Sequence, residues 1–271
     1  MIGAIIGDIV GSRFEFNNHK NKEFEFFSKD CFVTDDSIMT LAVEKAILET
    51  NKFIDLKTRD IEYYSLLESM LIKYMQQIGR KYPNSGFGGM FEQWIHSDNP
   101  KPYKSYGNGA AMRISPVGFI ADTESELINL CKVVTSITHN HIEGIKGAEA
   151  TALSIYMAKH EYSKKDIKKR IEKQYYQLNF TIDEIRNSYH FDVTCKGAVP
   201  VAIEFFLEST SFEDAIRIAI SVGGDSDTIA AITGSIAEAY YGVPEVYKEK
   251  ALTYLDDELR MIYDDWYLNL N

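Results

Sequence analysis

Apolar residues recur at helical spacing through most of this chain, and the strict alternation that marks strands is scarce. Residues 1–12 are apolar on almost every side: Ile2, Ile5, Ile6, Ile9 and Val10 surround a stripe in which Gly3, Gly7 and Gly11 fall at i, i+4 and i+8. That pattern predicts a central, buried helix whose glycines admit a close neighbour. Each glycine costs about 1 kcal/mol of helix propensity, so packing or function has to offset it. Asp8 interrupts the same helix, and an unpaired buried carboxylate is costly, so Asp8 is expected to anchor a loop by hydrogen bonds.

Residues 13–33 are polar and aromatic, a loop with a short strand expected over 24–27. Ile38, Leu41, Ala42, Lys45 and Leu48 then give an amphipathic helix over 37–49, with Thr34 or Asp35 as its N-cap. Further helices are predicted over 59–79, 124–138, 142–159, 196–208, 212–221, 227–241 and 244–255, with a glycine-rich irregular stretch over 82–106 and a break at Gly118 and Asp122. The charged run with Lys164, Lys165, Lys168, Lys169 and Arg170 reads as a solvated helix face rather than a nucleic-acid patch. No linker, repeat or low-complexity segment interrupts the chain. The expected fold is therefore all-α, one domain over residues 1–271.

Composition narrows the function classes. A net charge of −11 argues against broad binding of unmodified nucleic acid, which needs a basic face. Cys31, Cys131 and Cys195 are widely spaced, with no CxxC, so neither a disulfide framework nor a zinc knuckle is expected, and a reducing, cytoplasmic setting is. No run approaches the roughly 20 apolar residues of a membrane span, and the apolar start lacks the basic flank of a signal peptide.

Two acidic clusters carry the strongest chemical signal. Thr34-Asp35-Asp36 and Asp225-Ser226-Asp227-Thr228 each open an apolar helical run. Either alone could simply cap a helix and complement its dipole. Together they offer hard oxygen ligands suited to Mg²⁺ or Mn²⁺ rather than zinc. An EF-hand is excluded, because Ile229 and Ile236 occupy positions where such a loop needs oxygen ligands. Gly223-Gly224 would permit a turn that aims the second cluster inward. Ser105-Tyr106-Gly107-Asn108-Gly109 has the small residues of an anion-cradling turn at a helix start, without the lysine of a Walker loop. In Thr138-His139-Asn140-His141, His139 reads as a hydrogen-bonding contact rather than a metal ligand.

Taken in order, GDIVGSRFEF (7–16), TDDSIMT (34–40), SYGNGAAMR (105–113), TH (138–139) and GGDSDTIAAITGSIAEAYYG (223–242) resemble the ADP-ribosylglycohydrolase family, which includes dinitrogenase reductase-activating glycohydrolases and ADP-ribosyl hydrolases. The resemblance covers nearly the whole chain. It implies an orthogonal multi-helix bundle with two Mg²⁺ or Mn²⁺ ions in a central cleft. By motif it implies Thr34, Asp35, Asp36, Asp225, Asp227, Thr228 and Glu15 as metal ligands, and Ser105, Tyr106, Gly107, Asn108, Gly109, Met112 and His139 as substrate contacts. Tyr106 and Phe87 are candidates to stack on adenine.

The implied activity is hydrolysis of the glycosidic bond between ADP-ribose and an acceptor, an arginine- or serine-type protein side chain first. The alternatives are a small ADP-ribose derivative such as an acylated ADP-ribose, or a catalytically silent ADP-ribose-binding protein. Such cleavage passes through an oxocarbenium-like state that carboxylates stabilise. Asp35 or Asp36 is the expected activator of water, with Glu15 as alternative acid/base. The expected partners are an ADP-ribosylated protein or a small derivative, and the expected state is a monomer.

Overall fold

A computed structural model describes residues 1–54 and 59–270. Its helices are α1 (Ile2–Gly11), α2 (Asp35–Asn51), α3 (Ile61–Gly79), α4 (Gly89–His96), α5 (Gly109–Met112), α6 (Ser115–Ile120), α7 (Glu124–Ser136) and α8 (Ile142–Lys159). They continue with α9 (Lys164–Gln174), α10 (Ile182–Ile185), α11 (Cys195–Glu208), α12 (Phe212–Ile220), α13 (Ser226–Tyr241), α14 (Glu245–Leu252) and α15 (Asp257–Leu270). A 3₁₀ turn, Ser12–Phe14, extends α1. The all-α fold is as the periodicity predicts, and most expected helices begin and end within a residue or two of their observed limits.

Helix α1 is buried along its whole length and lies against α13. The glycine stripe is the contact: a Cβ on Gly3 would stand 2.3 Å from the Gly234 carbonyl oxygen, one on Gly7 2.1 Å from that of Ala230, and one on Gly11 2.6 Å from the Asp227 Cα. No side chain fits between the two backbones. This approach fixes the end of α1, with Asp8, beside the start of α13, with Asp227. The apolar core is continuous from Met1 to Trp266, and Cys31, Cys131 and Cys195 are buried in it unpaired.

Three expectations change. The segment 24–27 forms no strand, because its backbone and rings are held by other partners. The carbonyls of Lys22 and Phe24 each accept from Arg217 Nη1 at 2.9 Å, Phe24 lies under the Arg217 guanidinium, and Phe26 packs on Tyr247. Helix α2 begins at Asp35 with Thr34 as N-cap, and it is not amphipathic. Among its central residues only Lys45 reaches solvent to any extent, because α1, α3 and α15 enclose it. The glycine-rich stretch contains α4, which turns Phe91 and Trp94 inward, their rings stacked at 5.6 Å. The charged run does form a largely solvated helix, α9, with Ile167 and Ile171 as its inner face. No helix among the described residues is long and apolar enough to cross a membrane.

Candidate dimetal cleft

The cleft is built on Asp8. Its carboxylate accepts from the Thr34 hydroxyl at 2.6 Å and from the backbone N–H groups of Thr34 and Ser37 at 3.1 Å each. A carboxylate lodged at the first turn of α2 satisfies donors that the helix leaves open and complements its dipole. Asp8 thereby ties α2 to α1, as expected of a loop anchor. The glycine stripe ties α13 to the other side of the same helix. Both acidic clusters are brought together through one scaffold.

The second cluster is aimed by its turn. Gly223 and Gly224 have φ of +71° and +87°, a region open to glycine and strained for other residues. The space is also closed, since a Cβ would stand 2.6 Å from Asn18 Oδ1 or from Tyr189 Cε1. Asp225 makes no side-chain capping bond to α13. It accepts instead from Asn108 Nδ2 at 2.6 Å, which fastens the loop 105–109 to the acidic wall. Helix capping therefore does not account for this cluster.

Two groups of carboxylates result. Asp8, Asp36 and Asp227 offer oxygens within 4.8 Å of one another, as do Glu15, Asp225 and Asp227. Asp227 belongs to both, so the groups are adjacent. Thr228 donates to Asp36 Oδ2 at 3.1 Å. Asp36 Oδ1 and Asp227 Oδ1 are buried without a hydrogen-bond partner among the described residues, and a buried carboxylate oxygen left so is costly. Burial first, and the neighbouring carboxylates second, push Asp36 and Asp227 well above the ordinary carboxylate range. The same burial, with the charges of Asp227 and Asp8, raises Glu15 to about 7. Asp225 is raised to about 6, burial again leading. Crowded, desolvated oxygens with lone pairs to spare fit divalent cations, and the all-oxygen donor set fits Mg²⁺ or Mn²⁺.

Asp35 stands apart. It lines the same cleft, beside Gly86, but joins neither group. Burial, then Asp227 and Asp8, push it well above its ordinary value. The Thr34 hydroxyl donates to Asp8 Oδ1 at 2.6 Å, with Asp36 Oδ2 a farther acceptor at 3.4 Å, and its oxygen accepts from the Asp36 N–H at 3.3 Å.

The cleft between these walls encloses about 350 Å³, within the range of small-molecule sites. Ser105, Tyr106, Gly107, Asn108, Gly109, Met112 and His139 all line it. Asn108 N–H donates to the Val193 carbonyl at 2.8 Å and Gly107 pairs with Thr194, so the loop is braced from behind by the chain leading into α11. Phe87 packs on Phe91 rather than facing the cleft, and Tyr106, 54 % exposed, stands at the mouth against His141. Several lining residues had no sequence reading. Phe191 and Val193 form part of the rim, with Phe191 stacked on the exposed Phe16 at 6.0 Å. Asp8 adds a carboxylate to the first group; its place on a wholly apolar helix was the signal that it faced something special.

Fifteen helices among the described residues, with two adjacent carboxylate groups under a glycine-rich loop, make the architecture of a hydrolase class acting on ADP-ribose, and the comparisons agree. The model of the family described as ADP-ribosylglycohydrolase matches residues 1–269, and the chain belongs to that family. It is similar to the ADP-ribosylhydrolase ARH3 of Xenopus tropicalis, 25% identical over 95% of this chain and 91% of that protein. The ARH3 of Homo sapiens is 23% identical over 96% and 90%. An ADP-ribosylarginine hydrolase, Tri1 of Pseudomonas putida, is 26% identical over 90% and 70%. A solved structure described as an ADP-ribosylglycohydrolase-related protein complex shares the fold, with a TM-score of 0.70 at 19% identity, covering 100% of this chain and 96% of that one.

Proposed function

We propose that this enzyme hydrolyses the glycosidic bond joining ADP-ribose to a modified protein side chain of arginine or serine type, using two Mg²⁺ or Mn²⁺ ions. The observation that carries the reading is the sharing of Asp227, one oxygen of which has no hydrogen-bond partner among the described residues, between two carboxylate groups, with Glu15, Asp225 and Asp227 lining the cleft beside the loop 105–109. Asp36, Asp225, Asp227 and Glu15 would hold the cations with Thr34, Thr228 and Asp8 around them. When bound, the ions supply positive charge that polarises water and fixes sugar hydroxyls.

The chain's own groups do the rest. Backbone N–H groups and the Ser105 hydroxyl of the loop cradle the diphosphate, which fixes the adjoining ribose over the acidic floor and lowers the entropic barrier to reaction. The carboxylates stabilise positive charge as it develops on that ribose. Asp35 is the free base, because a carboxylate engaged by a cation is a poor proton acceptor and Asp35 lies outside both groups. Glu15, which follows the 3₁₀ turn at the end of α1 and lines the cleft, is the alternative acid/base in the state where no cation holds it.

The test is a linkage panel. Peptides mono-ADP-ribosylated on arginine or serine, an acylated ADP-ribose and an ADP-ribosylated oligonucleotide are incubated with and without Mg²⁺ or Mn²⁺, and released ADP-ribose is measured. Metal-dependent release from one of the peptides is expected. No release from any substrate, with cations shown to bind, would sink the reading; release from the acylated sugar alone would move it to a small-molecule substrate.

A further inference from the structure

Arg113 lies in the cleft wall at 1 % exposure and forms no ion pair among the described residues; Asp35 acts on it only from a distance. A buried guanidinium without a paired acid is costly, so its actual contacts carry information. Nη2 donates to Thr138 Oγ1 at 2.6 Å, lies 3.4 Å from His139 Nδ1, and the guanidinium sits over the Phe91 ring at 5.3 Å.

Arginine has donors only. A histidine nitrogen within its reach therefore has to present a lone pair. The Thr138 hydroxyl accepts from Arg113, and its own proton has two takers: His139 Nδ1 at 2.8 Å and the Thr135 carbonyl at 3.4 Å. The nearer one is Nδ1. Both neighbours thus make Nδ1 an acceptor, which leaves the ring proton on Nε2. That nitrogen lies beneath the glycine loop: a Cβ on Gly109 would be 3.4 Å from it and one on Gly107 3.6 Å. Burial, and then the Arg113 charge, hold the ring well below its ordinary pKa, so it stays neutral.

We propose that Arg113 and Thr138 are positioning residues that lock His139 as the neutral Nε2–H tautomer, presenting one fixed donor to the diphosphate of the substrate beneath the loop 105–109. The inference rests on the reading of the cleft as an ADP-ribose site. The device resembles the outer partners that orient a metal-bound histidine, here serving an anion. A neutral donor contributes direction without a second charge, while Arg113 supplies its field from behind the ring.

The full chain, labelled with ¹⁵N-histidine and loaded with Mg²⁺, gives the tautomer directly from long-range ¹H–¹⁵N correlations, with His139 assigned by its disappearance in His139→Gln. The wild type is expected to show the Nε2–H pattern. Thr138→Val should convert it to a mixture of tautomers and weaken ADP-ribose binding, by calorimetry, about five- to tenfold, the loss of one hydrogen bond. Thr138→Ser should restore both. Arg113→Met should act like Thr138→Val, and if it does not fold, the Thr138 pair decides alone. An Nδ1–H or charged ring in the wild type, or a pattern and affinity unchanged in Thr138→Val, would overturn the proposal. The tautomer readout needs no turnover, so absence of hydrolysis with the pattern intact would count against the proposed reaction and leave the positioning role standing.

Discussion

Asp227 is the carboxylate common to both groups, and one of its oxygens is buried without a partner among the described residues. Asp227→Asn keeps the shape, removes a charge and adds a donor amid acceptors. In EDTA the change relieves repulsion from Asp36 and Asp225 and an oxygen whose unmet burial costs about 1–3 kcal/mol. The variant should then be more stable than the wild type, by about 2–4 °C in Tm for each kcal/mol. In Mg²⁺ at about 100 times Kd, each occupied site adds about 2.7 kcal/mol to the wild type by mass action. A variant that has lost a ligand from both groups forgoes most of that. The mutation's effect on Tm should therefore change sign between EDTA and Mg²⁺ in differential scanning calorimetry. Asp8→Asn is the contrast, because Asp8 accepts three hydrogen bonds from Thr34 and Ser37 and its replacement should destabilise under both conditions. If Asp227→Asn lowered Tm equally with and without Mg²⁺, the shared-ligand reasoning would be refuted.

Asp35→Asn should lower kcat by about 10²- to 10⁴-fold, the usual worth of a general base, while calorimetric Mg²⁺ binding stays; loss of binding would make Asp35 a ligand instead. Glu44 is fully buried with neither carboxylate oxygen partnered among the described residues, and burial raises it from 4.5 to about 8. The folded state then holds a proton the unfolded state releases, so stability should fall as pH rises from about 4.5 to about 8, by up to roughly 1.4 kcal/mol per unit. Glu44→Gln should flatten that slope in urea titrations, and an unchanged slope would show that Glu44 is not its source. Gly7→Ala puts a Cβ 2.1 Å from the Ala230 carbonyl oxygen. Overpacking of this kind costs about 1–3 kcal/mol, more than the roughly 1 kcal/mol of helix propensity gained. The urea midpoint and the Mg²⁺ affinity should both drop, and a stabilised variant would mean that α1 and α13 can part cheaply.

Helix positions were legible because core-facing residues recur along each element, and α8 is observed over the same residues the periodicity marks. The glycines of α1 announced a close neighbour, though not which one. What stayed hidden depended on partners distant in sequence. Residues 24–27 look like a strand until Arg217 is seen donating to the Phe24 carbonyl. Helix α15 had no reading, although Leu259, Ile262, Tyr263 and Trp266 are its buried face. The cluster motifs located the acidic walls, the glycine loop and the histidine. They could not assign Asp8 to the first group or set Asp35 apart from both, since that depends on where Asp227 comes to rest. Phe191 and Val193 arrive from a segment without periodicity, and only the fold carries them to the rim.

The pairing of α1 with α13 also sets an order of events in folding. Gly3 and Glu238, joined by a hydrogen bond at 2.7 Å, are 235 positions apart, and contacts of such range form late because loop closure precedes their reward. During synthesis the most apolar helix waits for nearly the whole chain before its partner exists. Until then its isoleucines are exposed to aggregation or to chaperones. The carboxylates of α1, α2 and α13 converge only once α1 and α13 have docked. The two carboxylate groups therefore belong to the finished molecule, since a folding intermediate without α13 lacks the Asp227 they share.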